Sequence, residues 1–126
     1  MTRIAAIAFV VLVLTGITKA RADDAYMQRW QEYATAEITA MGVALNCTSA
    51  IGPAHYQLRR RVVLMRLTTK MQKADAFMLI KRIETEIVKP ELVSAVRETT
   101  RGDAGRCFTM LEEFTYRADE AYAPFE

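Results

Sequence analysis

The sequence predicts an all-α fold, a single small helical bundle of four or five helices closed by one disulfide. Three observations predict it. After residue 22, apolar residues recur at three- and four-residue steps, and no segment alternates with period two between turn signals. Only five Gly and three Pro occur in 126 residues, and most fall where helices should end. Hydrophobic residues make up 52% of the chain, which argues against disorder.

The first 22 residues read as a segment apart. Arg3 supplies a positive start, Ile4 to Leu14 is unbroken apolar sequence, and Ala20-Arg21-Ala22 places small residues before a cut at Asp23. That is the layout of a cleaved secretory signal peptide, and the run falls short of the ~20 residues a membrane span needs. Export to the periplasm or the extracellular space is the expectation, with residues 23–126 as the all-helical domain. Removing Arg3, Lys19 and Arg21 leaves 14 basic against 15 acidic side chains, net −1. Such a balance offers no footprint for nucleic acid. In an exported chain, Cys47 and Cys107 are expected to pair.

The elements follow in order. Asp23-Asp24 can cap a helix over about 25–50, with Tyr26, Trp30, Tyr33, Met41 and Leu45 along it and Gly42 marking a bend. Tyr26, Trp30 and Tyr33 suit either core or interface. Gly52-Pro53 ends that helix and starts the next. No Gly or Pro interrupts residues 54–89, yet one helix of that length would reach ~54 Å. A break is expected at Thr68-Thr69, where Thr69 and Gln72 fit a capping box, giving helices near 54–67 and 70–88. Pro90-Glu91 opens a short helix to about Thr100. A turn at Arg101–Gly105 leads into a last helix near 104–122, stopped by Pro124.

Charge is spread unevenly along this frame. Segment 23–53 carries net −3, segment 54–89 net +6, and segment 90–126 net −4. Treated as one helix, the middle segment aligns Leu58, Val62, Met65, Thr69, Ala76, Ile80, Ile83 and Ile87 on one face. Arg59, Arg66, Lys70, Lys73 and Lys81 form a neighbouring stripe. Apolar residues on two faces place this segment at the centre of a bundle, contacted from both sides. The basic stripe is either neutralised by the acidic first and last helices or docks a partner, with Arg59, Arg60, Arg66, Lys70 and Lys73 as the candidate contacts.

Chemistry beyond binding finds little support. One His and two Cys do not make the usual zinc site, and there is no phosphate-binding Gly-rich loop. The methionines lack metal-site spacing, no CxxCH occurs, and neither Ser49 nor Ser94 lies in GxSxG. Glu112-Glu113 and Asp119-Glu120 are adjacent pairs whose side chains diverge by ~100° on a helix. Arg101-Gly102-Asp103 is ordinary turn chemistry, and Asn46-Cys47-Thr48 matches a glycosylation acceptor only formally. Leu67-Thr68-Thr69-Lys70-Met71-Gln72 resembles part of the LTxxQ signature of small helical periplasmic chaperones, but Gln falls one position late and the motif occurs once.

The expectation is therefore a non-enzymatic, cofactor-free protein that binds a specific protein partner, in the manner of an inhibitor or immunity factor. A chaperone exposing apolar surface at low pH and a structural subunit of an envelope assembly are the alternatives. An anionic membrane surface ranks below a protein as partner.

Overall fold

The structure, a computed structural model, describes residues 24–126; the expected signal peptide over 1–22 and its cut before Asp23 lie outside the described residues. Among the described residues six α-helices follow one another: α1 (Asp24–Asn46), α2 (Thr48–Ile51), α3 (Ala54–Lys70), α4 (Lys73–Glu86), α5 (Pro90–Thr100) and α6 (Ala104–Tyr122). A 3₁₀ turn, Ala123–Phe125, carries the chain past Pro124, and no strand occurs among the described residues.

The centre of the bundle is α1. Every residue from Glu37 to Ala44 is buried, so this stretch is covered on all sides, as a central helix must be. Helices α3, α4, α5 and α6 all pack on it. Small residues make the close approaches possible. At Gly42 an added Cβ would lie 2.6 Å from Cδ2 of Leu92 on α5. Gly42 therefore serves close packing within an uninterrupted helix, where the sequence suggested a bend. We expect Gly42→Ala to destabilise by about 1 kcal/mol, since overpacking outweighs the gain in helix propensity. Truncating Leu92 to Ala in the same chain should reverse the sign, which urea denaturation of the single and double variants checks.

The Cys47–Cys107 disulfide ties the turn after α1 to the first turns of α6, with Cα atoms 6.1 Å apart. At the opposite end Tyr33 meets Tyr122, with ring centroids 5.2 Å apart, so α1 and α6 run antiparallel. Trp30 stacks on Phe125 at 4.1 Å, and Tyr26 and Tyr33 meet Trp30 edge-on. The early aromatics thus belong to an aromatic cap over the end of the bundle. Tyr33 is buried, Trp30 half-buried, and Tyr26 forms the outer edge.

The long middle segment breaks later than the threonines suggest. Thr68 and Thr69 stay helical because their hydroxyls donate back to the carbonyls of Leu64 and Met65, at 2.9 and 2.7 Å. Extended backbone at Met71 and Gln72 separates α3 from α4, and Gln72 precedes α4 without a side-chain cap. The break rotates the two halves of the expected apolar face relative to each other. Ala76, Ile80, Ile83 and Ile87 are buried, whereas Leu58 and Met65 are 59% and 62% exposed. Arg59, Val63 and Leu67 point inward in their place.

Candidate functional site

A charge cluster lies between α1, α3 and α6. It begins with Glu37, fully buried on α1. Arg59 of α3 reaches it with two hydrogen bonds, Nε to Oε1 at 2.8 Å and Nη2 to Oε2 at 2.6 Å. This bidentate fork suits a carboxylate geometrically and is stronger than a neutral pair. Tyr33, one turn earlier on α1, donates its hydroxyl to Oε2 at 2.8 Å. Arg66, two turns beyond Arg59, donates to Glu37 Oε2 at 3.2 Å and to Asp119 Oδ1 of α6 at 2.8 Å. Arg59 also reaches Asp119, at 3.1 Å, and the Arg66 guanidinium lies 4.5 Å from the centre of the Tyr122 ring. Two cations face two anions, so the cluster is neutral as a set.

Burial and pairing act against one another on each group. Burial pulls the Arg59 and Arg66 guanidiniums down, but hydrogen bonds and charges from Glu37, Asp119 and Tyr33 leave both above the ordinary arginine value. Burial, followed by the charge of Glu37, pushes the Tyr33 phenol far up. Burial raises Asp119, yet hydrogen bonds and charge from Arg66 and Arg59 hold its carboxyl below the ordinary 3.8. A lowered carboxyl contributes stability that is complete above its unfolded value and disappears as pH falls through the folded one. The urea midpoint should therefore fall below about pH 4, and Asp119→Asn should flatten that part of the pH profile.

The five basic residues expected to contact a partner separate into three groups. Arg59 and Arg66 are held by the cluster. Arg60 pairs with Glu84 of α4, which also accepts from Tyr56 at 3.1 Å, and burial together with Glu84 pushes the Tyr56 phenol up to about 12. Lys70 and Lys73 are exposed on either side of the break, and Lys73 approaches the Phe77 ring at 6.0 Å. Arg61, Lys81 and Arg82 join them as exposed cations that make no ion pair among the described residues. Apolar side chains are interleaved with these charges. Five of the eight large apolar side chains described as exposed lie in this segment: Leu58, Met65, Phe77, Met78 and Val88.

Other candidate residues take structural places. His55 is half-buried and meets the Phe108 ring edge-on at 5.3 Å. Asp103, the last residue of the RGD tripeptide, caps α6 by accepting from the Arg106 backbone N–H at 2.8 Å. Arg101 and Gly102 form the preceding turn with φ of 52° and 71°. Glu113 pairs with Arg117, and Glu120 accepts from Tyr116. Among the described residues no group of three or more His, Cys, Asp and Glu could hold a metal ion, and no helix is long and apolar enough to cross a membrane.

The sequence reading missed Glu37, the anchor of the cluster. A signal was present. Glu37 is the single charged residue between Glu32 and Arg59, among Ala34, Ile38, Ala40 and Met41, so it required a cation from another element. The fold and site define a small all-α, disulfide-linked domain with an internal ion cluster and a basic, apolar-studded helical hairpin. Comparisons with protein families, curated proteins and solved structures find no match.

Proposed function

We propose that this chain is an exported binding protein that holds a protein partner through the outer face of the α3–α4 hairpin, as an inhibitor or immunity factor holds its enzyme. One observation carries the reading. The fold uses four cations of segment 54–89 internally, in ion pairs of Arg59, Arg60, Arg66 and Lys89, and leaves Arg61, Lys70, Lys73, Lys81 and Arg82 without a carboxylate among the described residues. Those five cations share the hairpin with four exposed large apolar side chains, Leu58, Met65, Phe77 and Met78. Apolar anchors supply affinity when buried and unpaired charges select and orient an acidic partner. The leader pattern of residues 1–22 and the single disulfide support an oxidising, exported setting.

Affinity capture from the cell envelope tests the proposal, using the purified protein and its Lys70→Glu/Lys73→Glu/Lys81→Glu variant. One stoichiometric protein retained by the first and lost by the second is the expected result. Capture that ignores the charge reversal overturns it. A second reading, the acid-responsive chaperone, draws support from the carboxylates that join α1, α3 and α6. It predicts binding of an apolar dye on acidification, with the onset altered by Asp119→Asn.

A further inference from the structure

The exposed side of α3 specifies more than a general docking surface. Leu58, Val62 and Met65 follow one another at steps of four and three and Thr69 continues the heptad spacing, with Leu58, Met65 and Thr69 exposed and Val62 half-buried, while His55 one step before them is held against Phe108. On a helix turning ~100° per residue, Leu58, Val62 and Met65 occupy an arc of only ~60°. The opposite row, Arg59, Val63 and Leu67, is the one α3 buries within the bundle. Helix α3 thus has two seams, one buried within the bundle and one largely open from Leu58 to Thr69.

We infer that the open seam receives an amphipathic α-helix of a partner protein, with acidic residues along its edge. This rests on the binding reading above and names the chemistry of the partner. The narrowness of the stripe favours a helix, since a/d-type seams of this width pack against another helix whereas membrane-surface helices bury a broad apolar face. The charges set the sign of the edge. Arg61 flanks the seam on one side, and Lys70 and Lys73 stand exposed at its end, all without a carboxylate partner among the described residues. A second copy of this chain laid seam to seam would present another α3, which carries basic residues and no carboxylate for Arg61, Lys70 and Lys73, so charge does not favour self-pairing.

A designed peptide of about three heptads tests this, carrying Leu at a and d and Glu at e and g. A second peptide carries Lys at e and g, and phosphatidylglycerol vesicles serve as the lipid probe. The full chain is expected to bind the Glu-edged peptide, with amide shifts centred on Leu58, Val62 and Met65, and to ignore the Lys-edged one. Leu58→Glu/Met65→Glu should weaken that binding about tenfold or more. Both side chains are exposed, and unchanged circular dichroism and urea midpoint of the variant would separate lost binding from lost fold. Equal binding of both peptides, an unaffected double variant, or binding of vesicles in place of peptide overturns the inference. The same variant in the capture experiment separates this failure from that of the broader reading. Capture lost with Phe77→Glu/Met78→Glu but kept with Leu58→Glu/Met65→Glu would overturn the seam and retain the hairpin. Capture indifferent to both would overturn both.

Discussion

Replacing Arg59 by Met is expected to destabilise the fold by about 3–5 kcal/mol, because it strands a carboxylate in the core. Glu37 is fully buried, and Arg59 supplies both arms of its bidentate pairing. Tyr33 and Arg66 still reach Oε2, which should place the loss toward the lower end of that range. Against a total stability of ~5–15 kcal/mol even that is large. Adding Glu37→Met removes the stranded charge and fills the space with apolar volume, so the double variant should lose much less than the two single losses combined. A double-mutant cycle by urea denaturation at neutral pH reads the coupling directly, and additive losses would refute it.

The second large effect concerns the disulfide. Cys47 and Cys107 are separated by 60 positions, for which the chain-entropy model gives about 4 kcal/mol. Both side chains are buried, at 2% and 0% exposure, so Cys47→Ala/Cys107→Ala also removes packed atoms. The double variant should melt well below the oxidised parent and close to the parent in reductant. A melting temperature that reductant leaves unchanged would contradict this account.

What the sequence disclosed follows where local chemistry decides structure. Helices 90–100 and 104–122 were legible because Pro90 opens the first and the Arg101–Gly105 turn and Pro124 bound the second, and the disulfide because two cysteines allow a single intramolecular pairing. The break in the middle segment was legible as a necessity but not in place. Thr68 and Thr69 can satisfy their hydroxyls inside a helix as well as cap one, and only the packing of α4 on α3 and α1 decides between these. Which face α3 buries was not legible either: Arg59, Val63 and Leu67 lie inward and Leu58 and Met65 outward, and the fully covered stretch of the bundle belongs to α1. Arg59 and Arg66 looked like surface cations because their partners lie 22 and 53 positions away, a separation that periodicity within one helix does not report.

The disulfide has a further consequence for how the molecule is cut. The α3–α4 break at Met71 and Gln72 falls inside the span between Cys47 and Cys107, with exposed Lys70 and Lys73 on either side. Trypsin cleaving there severs the peptide backbone but leaves the two pieces covalently joined, one carrying α1 to α3 and the other α4 to α6. The nicked protein should run as one species on a non-reducing gel and as two fragments once reduced. Where proteases act on exposed turns, this arrangement keeps the central helix and its main partner together after the chain between them has been broken.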